Sequence, residues 1–594
     1  MNWKTLALLA GIFCAVAGIT SGWAEPSVNV PLDHWAYRFI ERFEAKGILR
    51  GLGDGIKPFS RIEMARAINL VGQKAKQGGQ LSRIEKEELQ LLQVEFSDEL
   101  AGLAGDVEQG EHAGSWRGNL LQGRSLYHYS HENGALFADL LFRQQADFFS
   151  GRGRQKRERI WRNRFGGTVR GHLDKKIAFY IGFEQGREQG SRIYVERDDI
   201  FEPRLEIPQL KGNLVDFHEG VSYAVFSLPH VDIQFGKDEV AWGPGPNDNL
   251  GLSDNASSFD MLRLRTNYGP FKLVSIAGAL RPCPDRGDSP GCAGVGDLAA
   301  SYNSNGVPRL LEREKYLAAH RLEVGLAPWI DLGFQEVVIY GDRGPELTYL
   351  NPLMFYWAAQ SYLGDKDNLM MGLDVDVHPG NGMRWYLAYV VDDLKKLRIF
   401  SDDFANKFSF QTGLLWVDPL GLSDADLRAE YVRIEPWIYT HKIPINTFRH
   451  FDVPLGHELG PNSDRWDISW TQRFSRDLSA QLHLGGTRHG DNVLLEDGTI
   501  LNVGGDLHRG WRPGDERQVK AFLDGNVSRW TALGGNATWR LLPQLTVLLG
   551  YESGWGDNVP LPPRGDANVT LTQRTGYGDG RQQHIRFELR YRYF

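Results

Sequence analysis

The chain has 594 residues, a formal net charge of -8 at pH 7 and an isoelectric point near 6.1. This acidic balance gives no electrostatic basis for nucleic-acid binding, and we expect no nucleic-acid partner. A mean hydropathy of -0.38 excludes a chain built mostly of apolar helical membrane spans. Aromatic residues make up 11% of the chain and glycines number 68, which suits an all-β structure with many turns and aromatic girdles.

The first 24 residues have the pattern of an export signal. Lys4 supplies the positive start, Leu6 to Ile19 form the apolar core, and Gly22-Trp23-Ala24 forms a cleavage site before Glu25. The apolar run is too short for a comfortable transmembrane helix. We therefore predict a signal peptide and an exported mature chain.

Two cysteines remain after that cleavage, Cys283 and Cys292. Their close spacing in an exported loop rich in Pro and Gly favours a disulfide. A metal or redox pair is the alternative, although no His or third Cys accompanies them.

Two helices are predicted between residues 28 and about 72. Asp33 can cap the first, which ends at Gly47. Ser60 caps the second, with Glu63 at the spacing of a capping box. These helices are distinct in pattern from the rest of the chain.

This helical stretch resembles a single S-layer homology module. The matching residues are Asp33-His34-Trp35-Ala36-Tyr37, Lys46-Gly47-Ile48-Leu49, Gly53-Asp54-Gly55 and Ser60-Arg61-Ile62-Glu63. The last four stand where that family carries its glycan-binding motif. The resemblance implies binding of a wall polymer, with Trp35, Arg61 and Glu63 as candidate contacts. A small periplasmic plug or docking domain is an equally weighted alternative.

A third helix is predicted from Ser82 to Leu103, because apolar residues recur there at helical spacing. The glycine-bearing stretch 102–114 is predicted to be a linker. From about residue 134 the apolar pattern changes to period two, which is typical of strands with two different faces.

About eighteen strands are predicted from this period. They lie near 135–149, 160–172, 177–186, 214–228, 231–240, 259–267, 271–280, 316–326, 329–340, 368–378, 382–391, 408–418, 425–440, 464–474, 478–488, 530–540, 544–554 and 581–594. In the last one, Ile585, Phe587 and Leu589 alternate with charged residues. That pattern, ending on Phe594, is typical of the closing strand of an outer-membrane β-barrel.

The predicted connections alternate between short and long along the chain. Outer-membrane barrels have short periplasmic turns and long external loops. With an even number of strands, both ends of the barrel domain fall on the short-turn side. The sequence therefore predicts a transmembrane antiparallel β-barrel of about 18 strands, with the helical segment in the periplasm and the long loops extracellular.

The predicted inward faces carry charges of both signs. The arginines are Arg162, Arg164, Arg170, Arg263, Arg265, Arg321, Arg384, Arg428, Arg586, Arg590 and Arg592, and the acids are Glu323, Asp374, Asp376, Glu430, Asp467 and Glu588. One interpretation is a selective pore with a charged constriction. The other, which we favour, is a salt-bridged and largely filled lumen.

No catalytic motif stands out in the sequence. Asp374, Asp376 and His378 share one strand face and offer metal-ligand chemistry, but simple alternation explains them, and we expect no metal site. Neither His-Glu-x-x-His nor a phosphate loop occurs. We therefore expect a protein that is not an enzyme and needs no cofactor.

Aromatic side chains in or beside the long loops are candidate glycan contacts. They are Trp242, Tyr349, Trp357, Tyr362, Trp511 and Trp555. An aromatic face stacks on the apolar face of a sugar ring while fixed polar groups bond the hydroxyls. The alternative for several of them is an aromatic girdle at the membrane surface.

Composite motifs in the barrel region resemble the Wzi capsule-assembly family. They are Phe235-Gly236-Lys237-Asp238, Trp242-Gly243-Pro244-Gly245, Leu252-Ser253-Asp254-Asn255-Ala256, Met261-Leu262-Arg263-Leu264, Tyr316-Leu317-Ala318-Ala319-His320-Arg321-Leu322-Glu323 and Tyr349-Leu350-Asn351-Pro352-Leu353, preceded by Glu95-Phe96-Ser97-Asp98-Glu99-Leu100. The resemblance implies an eighteen-stranded barrel that acts as a surface lectin and helps attach or organise capsular or exported polysaccharide at the outer membrane.

The leading hypothesis is thus a polysaccharide-binding barrel, and the alternative is a porin tethered to the cell wall. The expected partners are capsular or exported polysaccharide, outer-membrane lipid, and peptidoglycan or another wall polymer. The predicted layout is a signal peptide over 1–24, the S-layer-like module over 25–75, a periplasmic helix and linker over 80–114, and the barrel over 115–594.

Overall fold

The period-two segments form the wall of a closed antiparallel barrel. The structure is a computed structural model that describes residues 26–79, 81–104, 125–131, 133–151, 157–174, 176–191, 209–282, 300–304, 307–311, 313–393, 403–451, 453–511, 515, 519–560 and 577–592. The predicted signal peptide and the cysteine pair at 283 and 292 lie outside the described residues.

Eighteen strands close the wall. They are β1 (Gly134–Gly151), β2 (Glu158–Leu173), β3 (Ile177–Gly190), β4 (Leu214–Leu228), β5 (Val231–Asp238), β6 (Phe259–Tyr268), β7 (Phe271–Ala279), β8 (Lys315–Ala327), β9 (Ile330–Gly341), β10 (Asn368–Val377), β11 (Met383–Asp393), β12 (Lys407–Val417), β13 (Ala425–Ile434), β14 (Ser463–Arg473), β15 (Leu478–Asp491), β16 (Asn526–Leu542), β17 (Leu545–Pro560) and β18 (Tyr577–Arg592).

The predicted fold class is confirmed, and every predicted strand corresponds to one wall strand. The boundaries differ most at β13, which ends at Ile434 instead of 440, and at β17, which continues to Pro560. After Ile434 the chain turns into the lumen, and its apolar side chains pack in the lumen core. The sequence pattern of these buried residues resembles that of a longer strand.

The barrel closes where the first and last wall strands meet. β18 pairs with β1 from Gln582 opposite Gly151 to Arg592 opposite Leu141. The short strand Tyr127–His131 pairs with the first residues of β1. Closure leaves no unpaired wall edge along this seam.

The two faces of the wall differ as the alternation predicts. On β10 the outward Leu373 is 61% exposed, whereas the inward Asp374 and Asp376 are 9% and 3% exposed. Other large apolar side chains form an exposed outer band: Phe165, Ile181, Phe235, Leu332, Leu482, Leu533, Trp539, Leu549 and Phe587. An apolar outside around a polar inside is the pattern of a barrel that faces lipid.

Short and long connections alternate around the ring, as predicted. We call the end with the short connections, such as Pro229–His230, the short-turn end. The long-loop end carries the connections 239–258, 342–367 and 435–462, among others.

The described residues before the barrel form four helices: α1 (Ala36–Ala45), α2 (Arg61–Lys76), α3 (Arg83–Glu95) and α4 (Ser97–Ala104). They share an apolar core that includes Phe39, Phe43, Ile68, Leu92 and Phe96. None of the described helices is long and apolar enough to cross a membrane. We call residues 28–104 the helical domain.

The capping predictions succeed at one helix and fail at another. Ser60 and Glu63 form the predicted capping box on α2. Asp33 does not cap α1, because the residue before that helix is Trp35, which makes no side-chain cap.

The predicted third helix is divided in two at Phe96, which has φ -100 and ψ 23. Phe96 is fully buried in the helical core, and the Glu95 carbonyl oxygen beside it accepts from Arg61 Nη2 at 2.9 Å. These tertiary contacts outweigh the continuous helical pattern of the sequence.

The connections contain short regular pieces. They are the strands Gln209–Lys211, Ala241–Trp242, Ala300–Ser304, Val307–Leu311, Arg449–His450, Val453–Pro454, Val493–Leu494 and Ile500–Leu501, the helices α5 (Leu347–Leu350) and α6 (Tyr356–Tyr362), and the 3-10 turns Pro419–Gly421 and Pro444–Asn446.

The helical domain fills the short-turn end of the barrel. Its short strand Ile56–Lys57 pairs with Ala241–Trp242 of the inturned β5–β6 connection. Gly47 has φ +70, and a Cβ there would lie 2.9 Å from the Gly380 Cα of the β10–β11 turn. Only glycine combines that backbone conformation with so close an approach.

Arg42 fixes the helical domain to the wall through three carboxylates. It bonds Glu85 of α3 at 2.8 Å, Asp418 of the β12–β13 turn at 2.5 Å, and Asp426 of β13. The Arg42 side chain is 2% exposed.

We expect Arg42→Met to lower the free energy of unfolding by roughly 3–5 kcal/mol, because it removes a buried guanidinium that three carboxylates share and leaves them only Lys46 and Arg473 as cations. Arg83→Met is the matched control, since Arg83 is 73% exposed and pairs only with Glu87 one turn on, where such a pair contributes about 0.3–0.5 kcal/mol. Urea unfolding in detergent measures both. Equal effects of the two variants would contradict the role given to Arg42.

Candidate functional site

One half of the lumen is packed and the other half is hollow. Connections 239–258, 435–462 and 502–511 fold inward and join wall residues in one apolar core, which includes Trp242, Leu252, Ile276, Leu317, Ile339, Tyr439, Phe448, Leu455 and Leu507. The wall residues of this core lie on β6–β11 and β13. The favoured sequence interpretation, a largely filled lumen, describes this side.

Paired charges lie beneath that apolar core. Arg321 Nη1 and Nη2 bond the two oxygens of Asp374 at 2.6 and 2.8 Å. Arg384 contacts Glu41 at 2.5 Å, Asp54 at 3.0 Å, and Asp376. Both guanidinium groups are almost fully buried. Their ion pairs therefore stabilise the contact between the wall and the helical domain.

The helical domain carries carboxyl groups whose protonation depends on these neighbours. Burial opposes ionisation of Glu41, but Arg428 and Arg384 lower its pKa below the ordinary value. Burial together with the Asp54 carboxylate raises the pKa of Glu44, although the Arg384 guanidinium opposes this effect.

A cavity of about 1130 Å³ lies in the other half of the lumen. It is bounded by the helical domain, the β5–β6 connection and the wall strands β13–β18 and β1–β4, whereas β6–β12 contribute only Leu415 to its lining. Its lining is mixed in charge and includes the stacked rings of Tyr180 and Tyr223, whose centroids are 5.5 Å apart.

The charged residues that the helical domain contributes to the cavity lining are of both signs, with the cations Arg38, Arg42 and Lys57 and the acids Asp33, Glu41, Asp54, Glu88 and Glu95. Arg38 of α1 points into the cavity, retains exposed surface, and makes no ion pair with a described residue. Burial and the nearby Arg428 guanidinium lower the pKa of Arg38, with a smaller effect from Arg473 and Arg590.

At the long-loop end, the cavity is bordered by a cluster of hydrogen-bonded polar groups. Asp248 accepts from the Glu458 backbone N–H at 2.8 Å and from Arg465 Nη2 at 3.0 Å. Arg465 also bonds Glu458 at 2.5 Å. Burial and the Glu458 carboxylate raise the pKa of Asp248 to about 8.

The β9–β10 connection, residues 342–367, folds back over the outside of the wall, and we call it the outer-wall loop. The backbone N–H groups of Tyr356 and Trp357 donate to Glu336 at 2.9 and 3.2 Å. Glu336 lies on the outer face of β9, where it also meets His320 Nε2 at 2.9 Å. Glu336 is fully buried, so this loop shields a charged group that would otherwise face outward.

Polar residues form a row across three neighbouring strands beneath that loop. Ser275, His320 and Glu336 are direct partners in the register of β7, β8 and β9. Tyr349 and Tyr356 pack beside them on the outward Ala318, Val338 and Leu369. The other side of the loop is apolar and exposed, with Leu347, Leu353, Phe355, Trp357 and Tyr362.

The model of the family described as capsule assembly protein Wzi matches residues 142–561, which is well over half of the chain. The chain belongs to the Wzi family. The comparison with curated protein sequences found no match. The family resemblance predicted from the barrel motifs is therefore confirmed.

A solved Wzi structure from Escherichia coli has the same fold as this Wzi-family barrel. It is described as an outer-membrane protein involved in group 1 capsule assembly and a carbohydrate-binding β-barrel. The match has a TM-score of 0.51 and 12% identity, and covers 94% of this chain and 99% of that one.

Two further solved structures resemble the chain more weakly. OprD from Pseudomonas aeruginosa matches at a TM-score of 0.38 and 10% identity, over 76% of this chain and 92% of its own. OccAB1 from Acinetobacter baumannii matches at 0.41 and 8%, over 77% and 97%. Neither match carries weight for function.

The aromatic candidates in this Wzi-family barrel do not converge on one surface. Trp242 is fully buried in the lumen core, and Tyr349 is 1% exposed beneath the outer-wall loop. Trp357 and Tyr362 are exposed on that loop, and Trp555 is exposed on β17 in phase with the outward Leu549. Trp511 is half-buried beside the inturned loops.

The S-layer-like residues are engaged in contacts within the protein. Arg61 is 2% exposed and bonds Glu99 at 2.5 Å. Glu63 accepts from Arg265 of β6 at 2.7 Å, and although burial opposes ionisation, Arg265 lowers the pKa of Glu63. Trp35 is half-buried with the Arg540 guanidinium 4.6 Å from its ring centre.

The sequence analysis missed the cavity and the outward polar row. The row did leave a signal, because Glu336 falls in phase with the apolar Phe334 and Val338 on the outer face of β9. A charged residue at a lipid-face position indicates that another segment covers it. The cavity left no signal, since it depends on which half of the lumen the loops fill.

We expect Glu336→Ala to loosen the outer-wall loop, because each buried N–H group left without an acceptor costs about 1–3 kcal/mol. Hydrogen exchange at the Tyr356 and Trp357 amides should speed up markedly. Glu346→Ala in the same loop is the control, since Glu346 makes no side-chain cap on α5. Unchanged exchange at the Tyr356 amide in Glu336→Ala would refute the role of Glu336 as the acceptor that holds this loop.

Proposed function

We propose that this Wzi-family barrel binds surface polysaccharide and helps attach or assemble capsular or exported polysaccharide, without catalysing a reaction. In this proposal the barrel spans the outer membrane, the helical domain lies in the periplasm, and the long loops are extracellular. The family, the apolar outer band and the alternation of short and long connections support it.

The observation that carries the proposal is the polar cavity beside a packed half-lumen. Its lining combines the stacked Tyr180 and Tyr223 rings with hydrogen-bonding groups such as Asn247 and Gln481. Sugars are bound by that mixture of flat apolar faces and fixed polar groups.

Exposed loop aromatics remain candidates for outer contacts with the polymer. Trp511 borders the inturned loops, and Trp357, Tyr362 and Trp555 retain exposed faces. The three exposed residues share the outer face with apolar wall residues, which favours membrane lipid as their partner. Trp242 and Tyr349 are buried at 0% and 1% exposure, so direct contact of either ring with the polymer is not part of this proposal.

We expect Gln481→Trp to weaken binding of the strain's own capsular polysaccharide by at least about tenfold, because the new ring occupies the cavity. Leu482→Trp is the matched control, since the neighbouring Leu482 is 63% exposed on the outer wall. Biolayer interferometry with the purified barrel measures both. Full affinity in Gln481→Trp, or no binding by the parent together with unchanged surface polysaccharide in a deletion strain, would contradict the proposal.

A cell-wall-tethered porin for small solutes is the second candidate. The cavity lining runs from Trp35 and Arg540 near the short-turn end to Asn247 and Glu458 near the long-loop end, which favours a conducting path. Planar-bilayer recording separates the two functions. Large and stable conductance steps favour the porin, and electrical silence favours the polysaccharide-binding barrel.

Binding of the helical domain to peptidoglycan or another wall polymer is a further proposal, supported by the S-layer-like motif. If the motif acts directly, Arg61→Ala should reduce retention on purified wall material, whereas Arg66→Ala on the exposed side of α2 should not. A pull-down of the full-length protein measures both. Equal retention of Arg61→Ala and its parent would remove Arg61 from this role.

A further inference from the structure

Three potential metal ligands are buried together where the helical domain meets the wall. Asp54 precedes the short strand Ile56–Lys57, Asp376 is an inward residue of β10, and His378 follows that strand. Their exposed fractions are 6%, 3% and 5%. One donor atom from each lies within 4.8 Å of the other two.

His378 has no hydrogen-bond partner for either ring nitrogen. Its Nε2 faces Asp376 Oδ1 at 3.4 Å and Asp331 Oδ2 at 3.8 Å without making a hydrogen bond to them. Buried polar side chains are nearly always satisfied. An unsatisfied imidazole nitrogen aimed at carboxylates therefore points to a ligand that they share.

The charge around His378 also favours a cation. Asp54 and Asp376 share the single guanidinium of Arg384, which also contacts Glu41. Glu41 has a second partner, because Arg428 bonds it at 2.6 Å. The pair formed by Asp54 and Asp376 has no such second arginine among the described residues.

Two more carboxyl groups add to this excess. Asp331 faces His378, and Glu44 has a buried Oε2 atom that makes no hydrogen bond. No arginine or lysine in the described part of the chain forms an ion pair with either group. Uncompensated buried carboxylates are costly, so a divalent ion at this point would stabilise the interface.

We propose that Asp54, Asp376 and His378 bind a divalent transition-metal ion, with Zn²⁺ preferred, and that this ion fastens the helical domain to the barrel wall. One imidazole with two carboxylates is a donor set that suits Zn²⁺ or Mn²⁺. Bonds of about 2.0–2.2 Å would draw the donors inward from their present separations.

The folded chain selects a different trio from the one that the strand pattern suggests. Asp374 shares the inward face with Asp376 and His378, but both of its oxygens bond Arg321. Asp54 of the helical domain, remote in sequence, stands in the third position. Arg384 would still bond the carboxylates of Asp54 and Asp376 and would orient them toward the ion.

Metal content of the full-length protein tests this proposal. The protein is purified in detergent, stripped with a chelator, and dialysed against Zn²⁺, Mn²⁺ or Mg²⁺ before elemental analysis. We expect about one Zn²⁺ per chain and a higher melting temperature with the ion than without it. Mg²⁺ should neither bind at that level nor stabilise, because it prefers oxygen ligands only.

Substitutions then assign the ligands. His378→Ala and Asp54→Asn should each bind Zn²⁺ at least about 100-fold more weakly, and Asp331→Asn about 10-fold, as for groups that orient a ligand. His483→Gln is the control, because this partly exposed histidine pairs with Glu552 at 3.2 Å, away from the cluster.

Two results would overturn the proposal. One is a parent protein that takes up no stoichiometric Zn²⁺ or Mn²⁺ and shows no change in melting temperature, and this measurement needs no variant to fold. The other is His378→Ala retaining the parent's affinity. Neither result bears on polysaccharide binding, which has its own variants and control.

Discussion

The contact of Arg384 with Glu41, Asp54 and Asp376 is the constraint on which the closed short-turn end depends. A barrel with an apolar outside must place its charges inside, where each needs a partner of opposite sign. Arg384 lies on the wall, and two of its three carboxylate partners lie on the helical domain. The domain is thus part of the charge balance of the lumen.

The same principle divides the lumen into two unlike halves. In one half, the inturned loops form an apolar core with the wall, and ion pairs such as Arg321–Asp374 lie between that core and the helical domain. Little space remains there. The rest of the wall faces a polar cavity whose charges are only partly matched, as Arg38 illustrates. Stability comes from the first half, and the proposed recognition of polysaccharide comes from the second.

The fold was largely predictable because the wall repeats one local rule. The period-two alternation, the turn residues and the loop lengths can all be read from the sequence. For β4 the predicted bounds, Leu214–Leu228, agree with the structure. The failures arose where tertiary packing overrides local pattern. Phe96 interrupts a helix that the periodicity makes continuous, and the apolar chain beyond Ile434 packs in the lumen instead of extending β13.

The candidate site was much less predictable, because loop aromatics carry no local mark of direction. Trp242 and Trp357 both follow wall strands near the long-loop end, yet one is in the lumen core and the other is outside the wall. The trio of Asp54, Asp376 and His378 joins residues more than 300 positions apart. Such proximity follows from closure of the barrel around the helical domain, which strand patterns do not encode.

The outer-wall loop has a consequence for how the barrel sits in a bilayer. On the side of β7–β9, part of the exposed apolar surface is formed by side chains of the outer-wall loop such as Leu353 and Phe355 instead of by wall residues. Hydrophobic thickness is matched locally, by tilting or by thinning of the lipid. A bilayer around the barrel would therefore contact loop side chains on this side and wall side chains elsewhere, so a change in lipid chain length would act on this loop directly.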